Sequence, residues 1–203
     1  MNTIDTLLDN LIDRSETIRN SAHKKLVQLG AKTIAVIVPE LRKRTERVMA
    51  ADPVSTIFVR EFHVLAEIPG EVALDRALLI LESLIHSGHS ELMLNCLHYI
   101  IPRKNEIQQR HSYPLNRLLK YFLSHPYKNA LRDLLSLIEP IAENVTMTLL
   151  KEHIASRETI SRELKSFIQS MIETISQRVQ QKKSVMRRKS FMPPYGPILD
   201  WFS

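Results

Sequence analysis

Apolar residues recur along this chain with a helical period, not with the strict alternation of a half-buried strand. Near the N-terminus Ile4, Leu7, Leu8, Leu11 and Ile12 follow the i, i+3, i+4, i+7, i+8 spacing of one helix face. This predicts a helix over about 3–13 with Thr3 as its N-cap. Arg14-Ser15 breaks the stripe, and Ser15 is placed to cap a second helix carrying Ile18, Ala22, Leu26 and Leu29. That helix ends at Gly30, a residue suited to the position just past a helix terminus. So short a turn between two helices predicts an antiparallel hairpin.

The pattern then repeats. Ile34, Val38, Leu41 and Val48 mark a third helix, interrupted or kinked by Pro39. Asp52-Pro53 turns the chain into a fourth, with Ile57, Val59, Phe62, Leu65 and Ile68, which Pro69-Gly70 stops. A fifth carries Leu74, Leu78, Leu81, Leu84 and Ile85, and a sixth carries Leu92, Leu94, Leu97, Ile100 and Ile101. A seventh runs from Pro114 to Phe122. An eighth runs from about Lys128 to Ile138, after which Pro140 kinks it or opens a segment reaching Leu150. A long amphipathic helix from about Ser156 to Gln181 comes last, with Ile160, Leu164, Phe167, Ile168, Met171, Ile172, Ile175 and Val179 on its apolar face. The predicted fold class is all-α: stacked antiparallel helical hairpins closed by a long C-terminal amphipathic helix. Residues 1–181 are predicted to form the helical-repeat domain, and residues 182–203 a basic, proline-containing tail with an apolar end.

Two of the turns lie 39 residues apart, Leu29-Gly30 and Ile68-Pro69, and this offset places Leu26 on Leu65 and Ile18 on Ile57. A helix-pair period near 40 suits α-solenoids. The segment Ile18 to Gly30 resembles the second helix of a HEAT repeat, in which a β-branched residue and Arg are followed by Ala, then Leu, then Leu-Gly. Here these are Ile18, Arg19, Ala22, Leu26, Leu29 and Gly30. At the 39-residue offset Phe58 replaces Arg19 and Glu61 replaces Ala22. The resemblance implies a HEAT/armadillo-like α-solenoid, a right-handed stack of helix pairs with a concave binding surface.

Composition narrows the function classes. Glycine occurs only 4 times in 203 residues, well below the usual share of about 7%. Phosphate-cradling loops and strand-rich folds need glycine at positive φ, so P-loop, Rossmann and all-β readings lose support. No G-x-S-x-G, H-E-x-x-H or C-x-x-C motif is present. The single cysteine, Cys96, cannot form a disulfide within the chain. The N-terminus lacks a basic segment followed by an apolar one, and no apolar run approaches the roughly 18 residues of a membrane helix. These features predict a cytoplasmic protein without an integral membrane segment.

The net charge of +6 is unevenly spread. From Arg178 onward six basic residues face one acid, Asp200, giving +5, while the remaining 22 basic and 21 acidic residues give +1. Basicity is therefore a property of the C-terminal segment rather than of the body. In that segment Arg187, Arg188 and Lys189 precede a proline break and an apolar end, and Tyr195, Leu199, Trp201 and Phe202 are candidate partner-binding residues. Ser190, after Arg187-Arg188-Lys189, is a candidate phosphorylation site. Within the body, Arg103, Lys104, Arg110, Arg117 and Lys120 gather among His111, Tyr113 and Tyr121, a composition suited to an anion-binding patch. Arg42, Lys43, Arg44 and Arg47 fit favourable placement of cations at a helix C-terminus.

His86-x-x-His89 with Cys96 and His98 is the nearest approach to a zinc ligand set, but it straddles a turn and reads as a turn pair beside a buried thiol. His63 and His153 stand singly and read as packed or surface residues. No catalytic residue, cofactor or metal is expected. The leading expectation is a non-catalytic protein–protein adaptor or scaffold of HEAT-like type. Nucleic-acid or anionic-membrane binding through the basic patches and tail is one alternative. Relationship to the HEAT-type phycobilin lyases is another, since helix Ile18 to Gly30 is similar to their repeats.

Overall fold

The stripes fold as helices. A computed structural model of the chain describes residues 3–47, 54–125, 127–156 and 162–190, and all the regular structure among them is helical. The α-helices are α1 (Thr3–Asn10), α2 (Glu16–Leu29), α3 (Ala31–Arg47), α4 (Val54–Glu67), α5 (Glu71–Ser83), α6 (Ser90–Ile100), α7 (Ser112–Ser124), α8 (Lys128–Ile138), α9 (Asn144–Ser156) and α10 (Arg162–Ser190). Short 3₁₀ segments at Leu84–Ser87, Ile101–Glu106, Gln109–His111 and Glu139–Ile141 join some of them. No helix among the described residues is long and apolar enough to cross a membrane.

The chain divides into two compact units, Met1–Ile141 and Ala142–Ser203, with the division inside the predicted repeat domain 1–181. In the first unit neighbours in sequence pack together, α1 on α2, α3 on α4, α5 on α6 and α7 on α8. Helices two apart also pack: α2 with α4, α4 with α6 and α6 with α8, and likewise α3 with α5 and α5 with α7. The core runs through both sets. Phe58 and Phe62 of α4 are fully buried with their rings 6.3 Å apart, and Leu26, Leu41, Leu74, Leu81, Leu118 and Leu134 are buried from the other helices. In the second unit α9 packs on α10, with Leu150 buried from one and Leu164, Ile168 and Ile175 from the other.

Several helix ends differ from the pattern read in the sequence. α1 stops at Asn10, because Leu11, Ile12 and Asp13 donate to carbonyls only three residues back and tighten the final turn. Leu11 remains buried, but Ile12 is turned outward. Ser15 occupies the N-cap position without a side-chain capping bond. Arg19 secures the turn instead, donating from Nη1 to the carbonyls of Asp13 and Arg14 at 2.8 Å each. Gly30 ends α2 at φ 51°, ψ −114°, a conformation that a Cβ disfavours, and its carbonyl accepts from Ile34 within α3. α3 continues through Pro39. α10 extends to Ser190, nine residues beyond the predicted end at Gln181, since Gln180 to Lys189 holds helix formers and neither Gly nor Pro.

Candidate functional site

One opening among the described residues lies between α3 and α5. Ile34, Ala35, Val38 and Pro39 form one wall and Val72, Ala73 and Arg76 the other, with the corner Ile68–Gly70 closing one end, around a cavity of about 860 Å³. The wall is apolar because α3 presents small and aliphatic residues on this side. Arg42 lines this cavity and also a second one of about 550 Å³, which continues past Thr45, Leu79 and Ser83. Val72 and Leu79, on one helix face at i and i+7, are exposed large aliphatics on α5. The opposite side of α5 buries Leu74, Ala77, Leu78 and Leu81. Pro39 has no N–H, so the Ala35 carbonyl in this wall has no helical donor. Arg42 and Arg76 are exposed, whereas Glu71 is engaged by Arg110 and Gln108.

A second constellation lies on α2, α4 and α6. His63 and Glu67 sit one turn apart on α4, and His23 reaches them from α2. His63 Nε2 lies 2.8 Å from Glu67 Oε1, and His23 Nε2 lies 2.8 Å from Oε2 of the same carboxylate. The two imidazoles are 4.4 Å apart, and Tyr99 of α6 stacks on His63 at 3.9 Å and 17°. Both imidazoles donate to one carboxylate, which assigns their protons to Nε2. Burial first, and then the neighbouring His23, push the His63 imidazole below its usual pKa, outweighing the opposite pull of Glu67. Burial is also the strongest single influence on Glu67 and pushes its pKa up. The hydrogen bonds and charges of His23 and His63 together outweigh it and hold the carboxyl below its usual range. A cavity of about 420 Å³ opens beside the cluster, lined also by Arg19, Asn20, Lys24 and Arg60.

Glu61, one residue before Phe62 on α4, is buried. Arg44 Nε lies 3.2 Å from Glu61 Oε2, but neither atom has a hydrogen bond. The pair is close enough for attraction but misaligned, so the loss of water outweighs it. Burial pushes the Glu61 carboxyl up to about 7, against the pull of Arg44 and with some help from Glu40.

The predicted anion-binding patch resolves into separate, largely engaged groups. Arg103 is buried and donates to the carbonyls of Ala66, Ile68 and Gly70 at 2.9–3.1 Å, and it also pairs with Glu106. It thus closes the C-terminal end of α4, where carbonyls lack helical partners and a cation is favoured. Arg110 pairs with Glu71 and Asp75, and Arg117 with Glu82, all acids of α5. Lys104 is half-buried and Lys120 exposed. Of the interleaved rings, His111 is buried, accepting at Nδ1 from the Gln108 N–H and facing Asp75 through Nε2 at 2.7 Å. Tyr121 is hydrogen-bonded to Ser90, and Tyr113 is exposed with Arg117 over its face at 5.9 Å. Five cations chosen for their proximity in sequence are therefore mostly matched to acids and carbonyls that lie over 30 residues away.

Among the described residues His86, His89, Cys96 and His98 do not converge as a ligand group, and Cys96 is buried with its thiol pKa raised by burial. Arg187, Arg188, Lys189 and Ser190 lie in the final turns of α10. Tyr195, Leu199, Trp201 and Phe202 lie outside the described residues. The sequence reading missed the His23–His63–Glu67 cluster, for which the spacing of His63 and Glu67 was the only local sign. No family model, curated protein or solved structure matches the chain.

Proposed function

We propose that this chain is a non-catalytic adaptor built as a HEAT-like stack of helix pairs, and that it takes an apolar, acidic segment of a partner protein in the α3–α5 groove. The packing of every helix from α2 to α6 on the helix two places later supports the stacked reading. So does the spacing of α2, α4, α6 and α8, whose first residues Glu16, Val54, Ser90 and Lys128 lie 36 to 38 residues apart. The observation that carries the binding assignment is the groove itself: an apolar wall, two outward aliphatics at Val72 and Leu79, and exposed guanidinium groups at Arg42 and Arg76. An apolar groove of this kind accepts an amphipathic or extended segment through side-chain anchors, and the flanking cations favour Asp or Glu beside those anchors.

The test is selection of displayed random peptides on the full chain. The expected outcome is enrichment of peptides with large apolar residues beside Asp or Glu, whose binding is lost in Val72→Glu and weakened in Arg76→Glu. Both positions are exposed, so neither change disturbs the core. Peptides that bind Val72→Glu as well as the wild type would place the binding surface elsewhere. A chain ending at Val179 tests the basic tail in the same assay, and unchanged binding removes Arg187, Arg188 and Lys189 from the reader.

A further inference from the structure

We propose that His23, His63 and Glu67 form a mononuclear site for a divalent transition ion of the Zn²⁺ type, pinning α2 to α4. The ligand set suits such an ion, two imidazole nitrogens and one carboxylate oxygen. Each residue offers one donor atom, and these atoms lie within 4.8 Å of one another. A tetrahedral ion with bonds of about 2.0–2.2 Å spaces its ligands about 3.4 Å apart, so the site needs to contract by about 1.4 Å at most.

The local architecture prepares this arrangement. The i, i+4 spacing sets His63 and Glu67 on one face of α4, and the stacked Tyr99 ring fixes the plane of the His63 imidazole. His23 is mostly covered, with its side chain 17% exposed. Without metal, two Nε2–H groups point at one carboxylate, so the protons occupy the place where an ion would sit. On binding, each neutral imidazole keeps a single proton, which moves by exchange with water to Nδ1, and Nε2 becomes a ligand. Glu67 exchanges two hydrogen bonds for one metal bond.

Three protein ligands leave a coordination position open, as in zinc sites that hold an exchangeable ligand. The ion and Glu67 together carry +1. Arg19, Lys24 and Arg60 line the adjacent cavity, so the open position favours a small anion, hydroxide or a carboxylate. This site is on the α2–α4–α6 side of the first unit and is independent of the α3–α5 groove.

The experiment titrates Co²⁺ into the untagged, metal-free full chain and follows visible absorption. The expected result is one equivalent of Co²⁺ with the intense ligand-field bands of a four-coordinate ion, bleached by Zn²⁺. His23→Gln and Glu67→Gln, checked for folding by circular dichroism, should each weaken binding at least about tenfold, the loss that even supporting groups around a metal produce. The double variant His86→Ala, His89→Ala should bind as the wild type does. In the wild-type chain, the imidazole NMR signals of two of the eight histidines should move with one equivalent of Zn²⁺. Weak octahedral absorption only, unchanged binding in Glu67→Gln, loss of binding in the His86/His89 variant, or Zn²⁺-induced shifts at histidines other than His23 and His63 would each overturn the assignment.

Discussion

Replacing Glu61 with glutamine isolates the cost of one buried charge. The residue is only 3% exposed, and its Arg44 neighbour at 3.2 Å supplies attraction without a hydrogen bond. Burial raises the carboxyl from 4.5 to about 7, which corresponds to about 3 kcal/mol between the two protonation states. The folded pKa lies above the unfolded one, so between these values the folded chain holds a proton that the unfolded chain releases. The stability linked to Glu61 is complete below about pH 4.5 and falls as pH rises toward 7. Glutamine stays neutral throughout. The variant should therefore gain on the wild type as pH rises, by up to about 3 kcal/mol between pH 4.5 and 8, or about 6–12 °C in Tm for a chain of this size. Urea unfolding of both proteins across this range measures the difference. The difference curve is needed because Glu67, Glu71 and Glu106, all held below the usual carboxyl range, give the opposite slope at lower pH. A difference that stays constant with pH, or shrinks as pH rises, would refute the assignment of a buried, protonated Glu61.

Three further outcomes follow from the packing. Arg103→Met removes the guanidinium donor from the carbonyls of Ala66, Ile68 and Gly70, of which Gly70 still accepts from Leu74, and should destabilise the chain by about 3 kcal/mol in urea unfolding; an unchanged midpoint would mean that Arg103 does not close α4. Gly30→Ala places a Cβ at φ 51° and should cost at least about 1 kcal/mol, although open space surrounds the position. A Gly30→Ala chain as stable as the wild type would contradict the helix-end geometry. Cys96 is buried, and burial raises its pKa, so Ellman's reagent should modify it slowly in the native chain and with one thiol per chain in denaturant. Rapid native labelling would remove Cys96 from the core.

Much of the helical content was legible because period and punctuation are local properties. Ala22, Leu26, Phe62, Leu65, Leu74 and Leu81 all fall on the stripes that the spacing marks, and all are buried. Gly30 marked a helix end because only glycine occupies positive φ there without strain. The end of α10 was less legible, since nothing stops a helix between Gln181 and Ser190 and the prolines come later.

The sequence by itself determined the class of local structure and the turns, since both depend on residues a few positions apart. It also determined that basicity concentrates after Arg178. Only the tertiary structure decided what the polar residues do. Arg103 and Arg110, close in sequence and identical in type, became a buried clasp on α4 and an exposed partner of α5. His23 and His63, 40 residues apart and unremarkable as isolated histidines, met on one carboxylate. Glu61, which the 39-residue offset aligns with Ala22, is buried as Ala22 is, and its carboxyl lost water for a misaligned Arg44. The physical reason is common to all three. The role of a charged or hydrogen-bonding group depends on its water and its partners, and these are set by contacts that helix packing creates rather than by neighbours in the chain.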